Sequence, residues 1–193
     1  MKRFAIALAA GAALAAAGCA STPSPRYYTL SAELPQAASA QGPSISVNAT
    51  VPATLDRPQF VVVVNANEVA VLEQHRWSEP LAGEIGRVIA ENLSRATGNP
   101  RVAPYPQSSS LNADYRVSVD VQRFAGRLDG DAVVEALWSV RGPKGDVLHS
   151  GRVRVQESSG KTYDTLVAAY SHALAKVSGE IAAALKELPP AKR

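Results

Sequence analysis

Residues 114–156 restrict the folds open to this chain more than any other stretch. Tyr115, Val117, Val119 and Val121 alternate with Arg116, Ser118, Asp120 and Gln122, the period of two expected of a strand with one buried face. Leu128-Asp-Gly-Asp131 turns the chain, and Val134, Ala136, Trp138 and Val140 repeat the pattern over 132–141. Gly142-Pro-Lys-Gly145 turns it again, and 146–156 supplies a third run with Arg152 and Arg154 outward. Connections this short require antiparallel pairing. The stretch is therefore expected to be a three-stranded meander with one apolar face to cover.

Two helical patterns supply the cover. Over 79–97, Leu81, Ile85, Val88, Ile89 and Leu93 fall on one face, and Glu84, Arg87, Glu91 and Arg95 take the other. Ser78 is expected to cap this helix, Pro80 suits its first turn, and Gly98 ends it. Over 162–187, Tyr163, Leu166, Val167, Tyr170, Leu174, Val177, Ile181 and Leu185 form a stripe, with Thr162 as N-cap and Pro189-Pro190 as the stop. Upstream, 26–30 reads as a first strand, 31–43 as a loop, and 44–51 as a strand ending at Pro52. The apolar run 59–64 predicts a buried strand, paired through the turn 65–67 with 68–72. Pro104 and Pro106 limit 101–105 to an edge. One-faced helices need a sheet face to bury against. The expected fold is α+β: a two-layer sandwich, mostly antiparallel sheet with two helices packed on one face. No internal repeat or heptad run is present.

The N-terminus reads differently. Lys2 and Arg3 precede an apolar run of about 14 residues, too short for the ~20 that span a bilayer, and the run ends at Gly18-Cys19. This is the layout of an export signal. The chain's single cysteine at its end resembles the lipobox of bacterial lipoproteins, in which cleavage precedes an acylated cysteine. The alternative is a secreted protein with a stray cysteine. The lipobox pattern usually has leucine three places upstream, where Ala16 stands; here Leu14 lies two residues early. The expected organisation is signal 1–18, lipidated tether 19–25, one domain over 26–188, and a tail 189–193. An acylated Cys19 leaves no free thiol for a disulfide or thiolate metal site. Ala20-Ser21 resembles the default signal for transfer to the outer membrane, facing the periplasm. From Cys19 to Tyr27 the extended chain reaches at most ~28 Å, so the domain is expected close to the membrane. Without Lys2 and Arg3, the 20 basic residues fall by two against 17 acidic ones. The mature net charge is about +1, which gives no reason to expect nucleic acid.

Motifs for catalysis and cofactors do not assemble. Ser158-Ser-Gly-Lys-Thr162 ends like a phosphate-binding loop, but Val155 stands where the first glycine belongs. A polar turn with Thr162 as N-cap explains it. His75, His149 and His172 show no metal-ligand spacing, and no G-x-S-x-G elbow occurs. Asp129 and Asp131 suit a hairpin turn rather than calcium. No catalytic residue, cofactor or metal is expected. Two stretches remain odd: Leu55-Asp-Arg-Pro-Gln59 and His75-Arg-Trp-Ser-Glu-Pro-Leu81. Either Asp56 bonds backbone amides, Arg57 pairs with a carboxylate and Trp77 plugs the helix–sheet seam, or Asp56, Arg57, His75 and Trp77 form a partner surface, since Arg and Trp anchor interfaces.

These stretches, with Tyr27-Tyr-Thr-Leu30 shortly after a lipobox and Glu91-Asn-Leu93, resemble the PqiC family of auxiliary lipoproteins in ABC-type, MCE-protein lipid transport systems. The resemblance runs from about Arg26 to Leu188; the shifted lipobox leucine and a Ser-rich loop at 107–110 depart from it. It implies a non-catalytic outer-membrane docking piece for a periplasmic tunnel formed by an MCE-domain protein, itself a homo-oligomeric ring. A structural or assembly lipoprotein of another cell-envelope complex is the alternative.

Overall fold

The structure, a computed structural model, describes residues 24–188. The signal, Cys19 and the tail 189–193 lie outside the described residues. In chain order the elements are β1 (Arg26–Tyr28), β2 (Ile45–Thr50), β3 (Gln59–Asn65), β4 (Glu68–Trp77), α1 (Leu81–Thr97), β5 (Val102–Pro104), β6 (Tyr115–Gly126), β7 (Gly130–Arg141), β8 (Val147–Gly160) and α2 (Tyr163–Lys186).

The meander forms as its pattern requires. β6, β7 and β8 pair antiparallel, with Val117 opposite Val140 and Val134 opposite Val155. The alternating apolar residues of all three strands are buried on the face that receives the helices. β2 and β5 extend this sheet in the order β5-β2-β6-β7-β8, joined by parallel pairing. Strands brought together from distant parts of the sequence carry no hairpin constraint, which is why parallel pairing enters here. α1 lies over β2 and β5, α2 over β7 and β8, and the helices pack on each other. The α+β sandwich with both helices on one sheet face is therefore present.

A second sheet accounts for the remaining strands. β1, β4 and β3 form a three-stranded sheet in the order β1-β4-β3. The hairpin β3–β4 is antiparallel, and β1 adds to β4 in parallel, from Arg26 opposite His75 to Tyr28 opposite Trp77. The run 59–64 is not the fully buried strand its composition suggests. It is an edge strand, in which Phe60 is buried and Val64 is exposed. β4 runs past the expected 68–72 to Trp77, so His75 and Trp77 are strand residues.

The helix ends follow local chemistry, with one difference. Thr162 accepts from the Thr165 amide, and Thr165 Oγ1 accepts from the Thr162 amide in return, a reciprocal cap. Gly98 closes α1 in the left-handed region, where a Cβ would also meet the Ala38 carbonyl at 1.9 Å. Ser78 does not cap α1. Pro80 holds the N-cap position, and the Ser78 hydroxyl donates instead to Glu84 Oε1 at 2.8 Å.

That bond belongs to a network the helical pattern hides. Glu84 is 1% exposed, not solvated, because the segment following β1 lies across α1. Its carboxylate accepts from the Thr29 hydroxyl, the Leu30 amide (3.2 Å) and Arg87 Nη2 (2.6 Å). Further along, Asn92 Oδ1 accepts from the amides of Glu33 and Leu34, both at 2.9 Å. The Ala37 amide donates to the Arg95 carbonyl and the Ala40 amide to that of Gly98. Residues 29–40 thus form a strap with no regular secondary structure of its own. α1 satisfies much of its backbone, and the Ser31 amide donates to Ser171 of α2 at 3.1 Å.

Candidate partner-docking surface

The fold brings the two odd sequence stretches together. The Trp77 amide donates to the Pro58 carbonyl at 2.7 Å, and Gln59 lies opposite Arg76. The turn 55–58 and the end of β4 therefore share one end of the small sheet.

Trp77 faces inward. It is 5% exposed, and its ring centroid is 4.1 Å from that of Phe60 and 6.1 Å from that of Phe124. Phe124 stacks on Tyr170 at 3.9 Å. The indole plugs the seam between the small sheet and α2, so its ring cannot anchor a surface partner in this conformation. The buried Leu81 follows it into the core. Burial pushes the Tyr170 hydroxyl well above its ordinary pKa. Phe60, Phe124 and Tyr170 come from three separate segments, and no local pattern marks their meeting.

His75 sits at the rim. Its Nδ1 shares a hydrogen bond with the Tyr28 hydroxyl at 2.9 Å, and its ring lies 3.9 Å from that of Tyr163. Burial lowers the His75 pKa, and Arg26 lowers it further. The same burial raises that of Tyr28, with Arg26 opposing it. Arg26 stands 5.8 Å above the Tyr28 ring and pairs with Asp164 at 3.6 Å. The neutral form of the histidine is thereby favoured at the first strand of the fold, with Asp164 opposing.

Asp56 and Arg57 are exposed. No described residue gives either side chain a hydrogen bond or ion pair; only the Arg57 amide is engaged, by the Leu55 carbonyl. The local bonds expected of them are absent among the described residues. The outer face of the large sheet is polar. There Glu135 holds both Arg152 and Arg154, and the hydrogen bond from Arg152 keeps its carboxyl below the usual range. Among the described residues, no group of three potential ligands is placed to hold a metal ion, and no helix is long and apolar enough to cross a membrane. At the phosphate-loop look-alike, β8 runs through Gly160 and Thr162 serves as the cap.

A family profile described as "ABC-type transport auxiliary lipoprotein component" matches residues 28–182. The chain belongs to this family. It is the PqiC-type family that the motifs resemble, and its members are auxiliary lipoproteins of ABC-type transport. Two solved structures share the fold. One is of an uncharacterised protein (20% identity, TM-score 0.67, covering 83% of this chain and 98% of that one). The other is a Xanthomonas campestris protein (19% identity, TM-score 0.66, covering 81% and 92%). PelC from Paraburkholderia phytofirmans, crystallised as a dodecamer, is more loosely similar (20% identity, TM-score 0.45, covering 74% and 90%). No curated protein matches the sequence.

Proposed function

We propose that this family member is the non-catalytic docking lipoprotein of an MCE/ABC-type intermembrane lipid transport system. Cys19 carries the acyl anchor, the domain stands at the periplasmic face of the outer membrane, and a homo-oligomeric ring receives the tunnel of the MCE-domain protein. The observation that carries this reading is the auxiliary-lipoprotein match across nearly all of the described residues. Arg57 supports it: an exposed cation without a described partner, on a proline-bounded turn beside a rigid sheet, is available to a second surface. A closed ring presents such turns repeatedly without leaving open ends. The test is purification of the full chain in mild detergent, with mass spectrometry of what accompanies it and mass photometry of its assembly. An MCE-domain protein and a discrete oligomer are expected. Arg57→Glu should weaken one of the two, because charge reversal at an interface costs several kcal/mol and on a free surface under ~0.5. A monomer accompanied by secretion or cell-wall proteins would replace this function with that of an assembly lipoprotein.

A further inference from the structure

The four sheet edges are not protected alike. β1 and β5 are three residues long, and β5 ends in Pro104. β8 carries Arg152 and Arg154. Short length, proline and charge are the usual means of keeping an edge from pairing with another chain. β3 has none of them. Its sequence, Gln-Phe-Val-Val-Val-Val-Asn, spans seven residues without a charge or a proline, and among the described residues its only hydrogen-bonded strand partner is β4, while β6 of the large sheet comes near it.

The face beside this edge is apolar. Val61 lies opposite Val71 and Val63 opposite Val69, so the four share the hairpin face turned away from the core. Val69 is 60% exposed and Val71 40%. Between the hairpin and the outer face of the large sheet runs a groove of about 250 Å³. Val63, Ala125 and Val133 give it an apolar floor, and Arg123, Arg127 and Asp131 line it as well. Asp131 accepts from Gln156 Nε2 at 2.8 Å. Arg123 and Arg127 are exposed, and neither guanidinium has an ion pair or hydrogen bond among the described residues.

We propose that β3 is an acceptor edge. An extended segment of a partner protein, apolar at alternate positions and carrying a carboxylate, adds to the small sheet as a fourth strand, with its carboxylate on Arg123 and Arg127. Backbone pairing supplies the affinity in such strand addition, and the side-chain contacts supply selectivity. The two arginines, planar donors without a local acceptor, fit a carboxylate. A second copy of this chain fits less well. Antiparallel β3–β3 pairing centred on Val62 would set Pro58 of one copy opposite Ala66 of the other. That would bring Arg57, a third unpaired cation, up to Arg123 and Arg127, and like charges so placed repel.

The inference deepens the docking function but does not share its test. Full-length protein in mild detergent is used to select from a displayed library of random short peptides, and the strongest binder is synthesised. The expected binder alternates apolar residues and contains an acid. Its binding, read by fluorescence anisotropy, should weaken about tenfold or more in R123E/R127E, since charge reversal replaces attraction by repulsion. It should be lost in V63K, and unchanged in R152E on the same outer sheet face. Hydrogen exchange should show the β3 amides newly protected by the peptide and those of β8 unaffected. A failure to enrich any peptide, binding indifferent to both R123E/R127E and V63K, or protection elsewhere would overturn the proposal. So would self-association that V63K abolishes in a protein binding no peptide, which would assign the edge to a second copy. No transporter enters this experiment, so the absence of an MCE partner would sink the docking function and leave this result standing.

Discussion

Replacing Glu84 by alanine should destabilise the protein more than any other single charge removal on α1. The carboxylate holds Thr29, Leu30, Ser78 and Arg87 at once. Thr29 and Ser78 are exposed and Arg87 is half-exposed, so all three can turn to water when it goes. The Leu30 amide is buried and cannot follow. Leaving it without an acceptor costs about 1–3 kcal/mol, and losing the net value of the remaining bonds adds ~1. The sum, roughly 2–4 kcal/mol, lies below the ~3–5 typical of breaking a fully buried ion pair, because Arg87 stays partly wet. Glu91 offers the control. It pairs with Arg87 and Arg95 on the surface of the same helix, and exposed pairs are worth under ~1 kcal/mol. Urea unfolding of the non-acylated chain from residue 20 onward measures both, with equal slopes required for the comparison. Glu84→Gln should fall between them, since it keeps the shape and one acceptor oxygen. A Glu84→Ala protein as stable as Glu91→Ala would refute the claim that this carboxylate fastens the strap to the helix.

Three further outcomes are expected. Trp77→Ala empties the centre of the aromatic seam and should cost ~3–5 kcal/mol, which at this chain length lowers the melting temperature by roughly 6 °C or more; an unchanged melting curve would mean the indole is not packed as described. His75 has a folded-state pKa below its unfolded value of ~6.5, so the unfolded chain binds more protons in that window. Its contribution to stability should be complete above ~6.5 and decline as pH falls through that value. NMR titration should place the imidazole below its ordinary pKa, and Arg26→Gln should raise it; a His75 titrating normally in the folded protein would contradict its burial against Tyr28 and Tyr163. Cys19→Ala should leave the chain uncleaved or release it from the outer-membrane fraction, and wild-type fractionation of that variant would remove the anchor from the proposed function.

The sequence reveals periodicity better than it reveals coverage. The meander and both helices were legible because their apolar residues repeat at the spacing of the elements themselves. Glu84 was misplaced for the same reason. Its position around α1 assigns it to the polar face, and nothing within the helix says that residues 29–40 will lie over that face. Asn92 entered only through the Glu91-Asn-Leu93 resemblance, with no structural role read for it, although its oxygen satisfies two strap amides. The division into two sheets was equally hidden. Parallel pairing of β1 with β4 and of β2 with β6 joins segments far apart in the chain and leaves no local mark. At the candidate surface, the sequence singled out Asp56, Arg57, His75 and Trp77 as unusual but could not rank them. Burial separates them, sending Trp77 inward, His75 to the rim, and Asp56 and Arg57 to the outside.

The order β1-β4-β3 has a mechanical consequence. The chain enters the fold from the tether through β1, at one margin of the small sheet, and β3 forms the other margin. A pull between a membrane anchor and a partner seated on β3 would therefore cross the two strand seams flanking β4, with a second path into the large sheet through Arg123 of β6. The weaker seam is β1–β4, with three residues in register. Tension that opened it would meet the strap next, beginning at Thr29 and Leu30 on Glu84. The small sheet would act as the coupling under strain, and the larger layer would share the load only where Arg123 and Arg127 hold the partner.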